Sequence, residues 1–382
     1  MTVIFWLGLL LVAYSYLLYP ALLAVITRLS GPGQSRAEAI GDPPPIACII
    51  AAFNEERHIV ARIENLLTQS YPAAKIRIYV GSDGSTDCTG ALIGRFADDR
   101  VHAFVFQHNR GKASVLNDLV AASSEPILVF TDANTMFEPD ALNHLVRHFS
   151  DPDVGMTCGE LKLDAAQGNN QDSLYWRLEQ WLKRCEARIG GLLGANGAIY
   201  ALRRDLYRPL PADTITDDFC IAMQAAAEGR KLVYAPDAIA VEDTPNDIID
   251  EYHRRVRIGI GNYQALFRHP EYLLSTNSAT RFTYLSHKVL RWLTPHLLLS
   301  VLIASAVLGQ ESPYYQAFFL LQVIGYLAGG LILYFGVDRK VPRAISVFLF
   351  FLALNWAFLV AFVRFLGGRY SGRWRTTDRG SA

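Results

Sequence analysis

The chain of 382 residues has room for about two domains, and its 36 basic side chains are balanced by 36 acidic ones. This balance excludes recruitment of nucleic acid by net charge. The apolar residues are unevenly distributed, because residues 3–27 and 291–366 are almost continuously hydrophobic whereas those between them have the composition of a soluble domain. The layout is typical of a membrane-anchored protein.

Residues 1–28 are predicted to form an N-terminal transmembrane helix. Val3–Ile26 carries no charge and is long enough to cross a hydrocarbon core of ~30 Å. A signal peptide would have a basic start and a shorter apolar core, but here the first basic residues, Arg28 and Arg36, follow the span. The positive-inside rule therefore places the following domain in the cytoplasm, at the inner (cytoplasmic) membrane.

The soluble domain, residues 45–270, is predicted to be an α/β domain with a mostly parallel sheet. Short apolar strands alternate in this region with stretches of helical periodicity, which predicts right-handed crossovers between parallel strands. Polar clusters follow three of the strands, at residues 54–56, 83–87 and 132–134. Ligands of such sheets bind at the carboxyl ends of the strands, so these clusters indicate one binding edge.

The run Ile127–Phe130 leads into the last of these clusters. It is short and continuously apolar, which is typical of a strand buried on both faces, and Asp132 and Asn134 follow it. An acid delivered to this edge is well placed to hold a metal or a substrate. Asp and Asn also begin helices frequently, so a helix cap is the alternative.

Eight short motifs extend this pattern along the chain. In order, they are Ala51–Glu56 (AAFNEE), Ser82–Asp87 (SDGSTD), Gly111–Lys112, Thr131–Asn134 (TDAN), Gly194–Arg203 (GANGAIYALR), Thr216–Asp218, Arg254–Ile258 (RRVRI) and Trp374–Arg379 (WRTTDR). Together they resemble the motifs of membrane-bound family 2 glycosyltransferases, in particular hyaluronan- and cellulose-type polysaccharide synthases and related exopolysaccharide glycosyltransferases. The resemblance implies a Rossmann-like GT-A fold for residues 45–270.

The resemblance also implies a nucleotide-sugar donor, in particular a UDP-sugar. Asp83 would accept hydrogen bonds from a uracil ring, Lys112 would meet a phosphate as a point charge, and arginines would bind the diphosphate. The full set of implied donor-binding residues is Ala52, Glu55, Asp83, Lys112, Asp132, Arg254, Arg257 and Trp374. The alternatives are a turn aspartate, a solvated lysine, and a basic helix face that is solvated or contacts anionic lipid.

A divalent cation, Mg²⁺ or Mn²⁺, is implied at Asp132 and Asn134. These cations take oxygen ligands, and Mg²⁺ is usually held by one or two carboxylates together with substrate phosphates. Many relatives have an acid in place of Asn134, so one negative charge is missing here. We therefore expect weaker metal binding in the absence of the donor.

Asp218 is the candidate general base, with Gly197 and Asp217 on the acceptor side. A carboxylate within hydrogen-bond reach of the acceptor hydroxyl can take its proton, and the resemblance implies inversion at the anomeric carbon. The alternative is that Asp217 and Asp218 cap the helix predicted from Phe219. Ile258 replaces the tryptophan on which synthases stack the acceptor sugar, which argues against processive elongation.

Residues 277–366 are predicted to contain interfacial and transmembrane helices, followed by a basic cytoplasmic tail at residues 367–382. Asn277–Leu290 has the mixed composition of an interfacial helix, and two apolar stretches after it are long enough to span. Residues 344–366 either cross again, which would put the tail outside, or lie at the membrane surface. The arginines of the tail favour the cytoplasm, so we predict a surface or re-entrant helix.

These features predict a metal-dependent, inverting glycosyltransferase at the cytoplasmic membrane face. Its partners would be the nucleotide-sugar donor, a lipid-linked or polysaccharide acceptor, and membrane lipids. The alternative is a catalytically inactive membrane sensor or assembly subunit that retains the nucleotide-sugar-binding fold, and Asn134 and Ile258 support it. No Walker or GxGxxG fingerprint of another class of nucleotide-binding enzyme is present.

Overall fold

The structure is a computed structural model that describes residues 1–30, 41–164, 170–243, 248–335, 342–368 and 370–373. The predicted tail motif, including Trp374, lies outside the described residues. Within them, helices that are long and apolar enough to cross a membrane flank a central α/β domain.

The central domain contains one eight-stranded sheet. Its strands are β1 (Ile46–Ala52), β2 (Ile76–Asp83), β3 (Val101–Phe106), β4 (Ile127–Thr131), β5 (Thr135–Phe137), β6 (Val154–Asp164), β7 (Tyr200–Arg203) and β8 (Lys231–Asp243). Their spatial order is β3-β2-β1-β4-β7-β6-β8-β5. The first four strands in this order are parallel, as are β6 and β8, whereas β7 and β5 run antiparallel to their neighbours.

Helices cover both faces of the sheet and form the membrane part. They are α1 (Thr2–Ala13), α2 (Tyr19–Leu29), α3 (Ile59–Leu67), α4 (Thr89–Ile93), α5 (Lys112–Ala122), α6 (Ala141–Val146), α7 (Asn170–Arg188), α8 (Asp217–Ala227), α9 (Ile248–Arg268), α10 (Glu271–Leu274), α11 (Ser278–Thr283), α12 (Leu290–Leu308), α13 (Pro313–Phe335) and α14 (Arg343–Leu366).

The predicted α/β fold with a mostly parallel sheet is confirmed. β1 and β4 are buried along their whole length, which is why their apolar runs were recognisable. β1 ends at Ala52 and β2 at Asp83, and the register pairs Ala52 with Ser82 and Ile50 with Thr131. The polar clusters that follow these strands therefore share one edge of the sheet.

Four helical segments of the described chain have the length and composition of membrane spans. The first, Thr2–Leu29, contains a π-helical turn at Tyr14–Leu18 between α1 and α2. The predicted interfacial helix and the span after it form one continuous run, Ser278–Leu308, because α11 leads into α12 through a second π-helical turn. α13 and α14 supply the other two segments. The chain is a membrane protein by these criteria.

Buried polar side chains join α7 to the membrane helices. Glu186 accepts a hydrogen bond from Tyr19 Oη at 2.7 Å and contacts His287 Nδ1 at 2.6 Å. Glu179, two turns earlier on α7, lies 3.2 Å from His287 Nε2 and pairs with Arg291. We call these five residues the membrane joint. Buried charges are costly unless they are paired, so the joint holds α7 firmly against the spans.

α14 lies along α9 of the α/β domain. Near their N-terminal ends, Arg255 stands over the Phe350 ring at 4.6 Å. Near their C-terminal ends, the rings of Phe267 and Phe365 stack with centroids 5.6 Å apart. The contacts advance in the same direction on both helices, which are therefore parallel.

The chain after α14 returns to the α/β domain. Arg268 donates a hydrogen bond to Tyr370 Oη at 2.9 Å. Gly372 lies so close to Gly111 that a Cβ at Gly111 would come within 2.7 Å of the Gly372 carbonyl oxygen. The described part of the tail thus reaches the start of α5, on the side of the spans that carries the α/β domain.

Candidate active site

Three charged side chains from distant parts of the chain meet at the carboxyl edge of the sheet. Lys112 Nζ lies 2.8 Å from Asp132 Oδ1 and 3.2 Å from Asp217 Oδ2. Lys112 begins α5, Asp132 follows β4, and Asp217 begins α8. The structure therefore brings together three of the residues that the sequence proposed for the site.

The Lys112 ammonium is the counter-charge of this cluster. Burial alone would lower the pKa of Lys112, but the negative charges of Asp132 and Asp217 outweigh burial and raise this pKa above its ordinary value. Lys112 consequently stays protonated throughout the neutral range and neutralises part of the charge of the two carboxylates.

Asp218 and Asp132 face each other across Gly197. A Cβ at Gly197 would lie 3.5 Å from Asp218 Oδ2 and 3.6 Å from Asp132 Oδ2, so the absence of a side chain there leaves space between two carboxylates. Burial, and then the charge of Asp217, raise the pKa of Asp218 to about 6. A carboxylate with this pKa is ionised at pH 7 and is a better proton acceptor than an ordinary aspartate.

The alternative role of Asp217 and Asp218, as caps of α8, receives little support from the geometry. Thr216 occupies the cap position, and its side chain makes no capping hydrogen bond. Asp218 Oδ1 accepts a hydrogen bond from the Phe219 backbone N–H at 2.8 Å, which fixes one carboxylate oxygen and turns the other toward Gly197.

Gly197→Ala is expected to leave the protein folded and to lower sugar transfer by about 10²-fold, since small misplacements of reacting groups have effects of this size. The new methyl group would stand at ordinary van der Waals distance from both carboxylates, so it fits, but it fills the space between them. Transfer rate and thermal unfolding temperature test the expectation.

The matched control is Gly330→Ala, because a Cβ at Gly330 would meet nothing within 4 Å. Unchanged transfer by Gly197→Ala would show that no reacting group occupies the space above Gly197.

Asp83, the residue expected to contact a uracil ring, is engaged with the backbone of a later loop. It is completely buried, and its two oxygens accept the backbone N–H groups of Arg110 at 3.0 Å and Gly111 at 2.8 Å. Asp83 therefore holds the loop that precedes Lys112. Its contact with a uracil ring stays a prediction that would require this loop to move.

Ala52 and Glu55 lie at the neighbouring strand end. Ala52 is buried as the last residue of β1. The Glu55 backbone N–H donates to Thr89 Oγ1 at 2.8 Å, and its carboxylate lies 3.0 Å from His58 Nδ1. The loop after β1 is thus tied to the start of α4, which follows β2, so the ends of the two strands are held together.

Arg254 and Arg257 lie one turn apart on α9, the first exposed and the second half-buried. One further turn along, Gly261 packs so closely on Thr216 that a Cβ would come within 2.7 Å of its Cγ2. This contact brings α9 beside the first residue of α8, Asp217. Trp374 lies outside the described residues, two positions beyond Gly372.

The residues proposed for a metal fit a cation that is shared with a phosphate-bearing ligand. Asp132 presents one oxygen to Lys112 and the other to the space at Gly197. Asn134 donates its amide N–H to Glu242 Oε1 at 2.9 Å, which leaves its carbonyl oxygen as the atom for a metal. The described residues contain no group of three or more His, Cys, Asp or Glu side chains placed to hold a metal. Ligand phosphates would have to complete the coordination.

Asn134→Asp is expected to destabilise the metal-free protein by about 1–3 kcal/mol, because it replaces a donor to Glu242 by a second acceptor. Adding Glu242→Gln should restore the unfolding temperature, since glutamine can donate to the new carboxylate. Mn²⁺ should stabilise Asn134→Asp more than the unaltered protein. Thermal unfolding with and without MnCl₂ measures both effects, and Glu242→Gln alone is the control. An Asn134→Asp variant as stable as the unaltered protein would contradict the assigned contact.

Arg62 is a site-adjacent residue that the sequence reasoning missed. It is completely buried in α3, donates to Thr131 Oγ1 at 3.0 Å and lies over the Phe137 ring at 4.0 Å. Burial lowers its pKa to about 9, so it remains charged at pH 7 behind the residue that precedes Asp132. The sequence feature that could have identified Arg62 is its position within the apolar stripe of an amphipathic helix.

Comparison with known proteins finds one matching family and several relatives. Residues 47–209 match the family profile described as "Glycosyl transferase family 2". The poly-beta-1,6-N-acetyl-D-glucosamine synthase of Staphylococcus aureus is 26% identical over 245 residues, which are 62% of this chain and 58% of that protein. The synthase of the same name from Staphylococcus epidermidis is 25% identical over 231 residues, 58% of this chain and 56% of that protein. The chain thus covers less than two thirds of these relatives.

A solved structure matches nearly the whole chain. It is a mannosyltransferase from Pyrobaculum calidifontis in complex with GDP-Man and Mn²⁺, with a TM-score of 0.72 and 19% sequence identity. The match covers 96% of this chain and 99% of that one. At this identity the likeness concerns the fold.

Proposed function

We propose that this chain, in which residues 47–209 are a family 2 glycosyltransferase domain with a GT-A fold, transfers a sugar from a nucleotide donor to a membrane-associated acceptor. The cluster at the sheet edge carries the proposal. Beside this cluster, the carboxylates of Asp218, the proposed proton acceptor, and Asp132, the proposed metal ligand, both approach Gly197.

In the proposed reaction, an acceptor hydroxyl attacks the anomeric carbon of the donor sugar. As the new C–O bond forms, the bond from that carbon to the diphosphate breaks, and the nucleoside diphosphate leaves with the electron pair. Asp218 takes the hydroxyl proton. A single attack from the face opposite the leaving group inverts the configuration at the anomeric carbon.

The leaving diphosphate needs positive charge, which Lys112 and the arginines of α9 would supply. Asp132, with Asn134 through its carbonyl oxygen, would hold Mg²⁺ or Mn²⁺. The bound cation would neutralise charge on the diphosphate. Asp83, Glu55 and Ala52 would form the nucleotide side of the site, and Trp374 would approach it from the tail.

The donor that we propose is a UDP-sugar, and its sugar is taken from the relatives. They are named as synthases of an N-acetylglucosamine polymer, so UDP-N-acetylglucosamine is the first donor to test. GDP-mannose is the second, because the solved structure of similar fold contains GDP-Man.

The catalytic domain would lie on the cytoplasmic face of the inner membrane, with a lipid-linked or polysaccharide acceptor. Arg28, at the end of the first span, supports this orientation by the positive-inside rule. α14 would lie at the membrane surface, since it packs along α9, which carries Arg254, Arg255 and Arg257 and cannot enter the hydrocarbon core. The tail would then remain in the cytoplasm.

A donor screen tests the proposal. The full chain, purified in detergent, is incubated with MnCl₂ and one of a panel of UDP- and GDP-sugars, and release of nucleoside diphosphate is measured with and without sugar acceptors. We expect one donor to release nucleoside diphosphate, at a higher rate with the unaltered protein than with an Asp218→Asn variant. The absence of release from every donor would favour the inactive sensor or assembly subunit.

A further inference from the structure

We propose that Lys183 forms an acceptor subsite for a phosphate group, so that the acceptor of this enzyme is a sugar linked to a lipid through phosphate. The inference rests on the proposed function and narrows its acceptor class. Lys183 lies on α7, outside the sequence motifs and outside the cluster around Lys112.

The Lys183 ammonium stands beside the acceptor-side loop. Its Nζ donates to Asn196 Oδ1 at 2.8 Å and to Cys158 Sγ at 3.2 Å. Asn196 in turn donates its amide N–H to the Gly159 carbonyl oxygen at 3.2 Å. Asn196 immediately precedes Gly197, so the ammonium is hydrogen-bonded to the residue next to the glycine that Asp132 and Asp218 approach.

The charge of Lys183 has no acidic partner within ion-pair distance among the described residues. Its contacts there are the Asn196 amide, the Cys158 sulfur and the face of Tyr234, whose centroid is 5.7 Å from Nζ. A half-buried cation without a counter-ion loses hydration without recovering an equivalent charge interaction. An ammonium also carries three N–H donors, and two suffice for these contacts.

The nearby carboxylate of Glu160 is already hydrogen-bonded to other side chains. Arg184 donates to both of its oxygens, at 2.7 and 2.8 Å, and Tyr234 Oη donates at 2.6 Å. Asp132 and Asp217 are similarly engaged with Lys112. An anion that arrives with the acceptor would therefore be the first full counter-charge that Lys183 meets.

The placement of α7 selects the kind of anion. Within one turn of Lys183, Cys185 faces Thr27 of the first span and Glu186 belongs to the membrane joint. α7 therefore contacts the spans through these two side chains and the loop before Gly197 through Lys183. A phosphate that links a sugar to a lipid would lie between the bilayer and the reacting hydroxyl, and α7 connects the same two regions.

The test compares two synthetic acceptors with the same lipid and sugar, dodecyl diphosphate-N-acetylglucosamine and neutral dodecyl β-N-acetylglucosaminide. The variants are Lys183→Met, Lys183→Arg, Asn196→Ala and, as a surface control, Lys162→Met, whose exposed ammonium lies 3.6 Å from Glu138. KM and kcat are measured for each acceptor, and donor hydrolysis is measured without acceptor.

We expect Lys183→Met to raise KM for the diphosphate acceptor about tenfold or more, the effect of a lost hydrogen bond to a charged group, with KM for the neutral glycoside unchanged. Lys183→Arg should stay close to the unaltered protein. Asn196→Ala should raise KM for both acceptors, because it loosens the loop itself, and Lys162→Met should change neither.

An equal rise for both acceptors in Lys183→Met would overturn the inference, because Lys183 would then only position the loop. So would an unaltered protein that shows no preference for the diphosphate acceptor, or one that elongates only neutral oligosaccharides. Those outcomes leave the proposed function intact. Its own failure is distinct: no donor is hydrolysed even without an acceptor.

Discussion

Asp218→Asn is expected to lower sugar transfer by about 10²–10⁴-fold, the usual contribution of a general base, and to leave donor affinity within about threefold. Asparagine keeps the shape of the side chain, and its oxygen can still accept the Phe219 N–H. It cannot take a proton from the acceptor hydroxyl. Transfer is measured as nucleotide release in the presence of acceptor, and donor affinity by calorimetry.

Asp205→Asn is the matched control, since Asp205 is an exposed aspartate of the same domain that follows β7, whereas Gly197 precedes that strand. Asp218→Asn with intact transfer would remove Asp218 from the reaction. A large loss of donor affinity would instead assign Asp218 to the donor site.

The pH dependence of transfer gives an independent test of the same residue. The folded-state pKa of Asp218 is raised to about 6, first by burial and then by Asp217. A general base works only when ionised, so kcat/KM should be constant well above pH 6 and should fall tenfold per unit as the pH drops below it. The residual activity of Asp218→Asn should lack this limb. A limb near pH 4 would contradict the raised pKa of Asp218, and a limb that persists in Asp218→Asn would assign the base to another group.

Lys112→Met is expected to be the most destabilising single change at the site. The change removes the counter-charge that is shared by Asp132, which is partly buried, and Asp217, which is buried. Breaking a buried ion pair costs about 3–5 kcal/mol of folding free energy. The unfolding temperature should fall accordingly. Transfer should also fall, since the diphosphate loses a positive partner.

The same change should strengthen metal binding in the absence of donor. The ammonium contacts Asp132, the carboxylate proposed for the metal, so cation and ammonium compete for it. Mn²⁺ should therefore raise the unfolding temperature of Lys112→Met more than that of the unaltered protein, by the linkage between binding and stability. Electron paramagnetic resonance of Mn²⁺ measures the affinity directly.

Lys231→Met is the control for this experiment, because Lys231 also contacts two carboxylates, those of Asp151 and Asp153, but on the surface. Solvent screens such pairs, so neither stability nor Mn²⁺ affinity should change. Equal Mn²⁺ affinities in Lys112→Met and the unaltered protein would contradict competition at Asp132.

The sheet and its binding edge could be predicted from the sequence because their signal is local. A strand buried on both faces, such as β4, is a continuous apolar run, and the polar residues that end it are adjacent in sequence. Helix α8 begins two residues earlier than predicted, at Asp217. This shift of the helix start does not affect the proposal for Asp218, because that proposal rests on the motif Thr216–Asp218.

The pairing of the site residues could not be predicted in the same way. Lys112 and Asp217 are more than a hundred residues apart in the sequence. No local pattern predicts that the Lys112 ammonium contacts two carboxylates. The sequence suggested a uracil contact or a turn aspartate for Asp83, and no local pattern indicated that the backbone N–H groups of a later loop bind its carboxylate. Lys183 and Arg62 lie in helices whose apolar periodicity predicts the helical conformation. That periodicity does not predict the contacts that these two side chains make. The placement of α14 likewise emerges only from its contacts with α9.

The membrane joint would hold the carboxylates proposed for catalysis at a set height above the bilayer, because Glu186 links α7 to Tyr19 and His287 of two candidate spans by directional contacts rather than by sliding apolar ones. A sugar chain anchored in lipid lifts its terminal hydroxyl farther from the bilayer with every unit added. An enzyme held at one height then reacts only with sugar-chain termini that lie at the same distance from the bilayer. We expect product length to be limited by this distance, and to change when the joint is loosened.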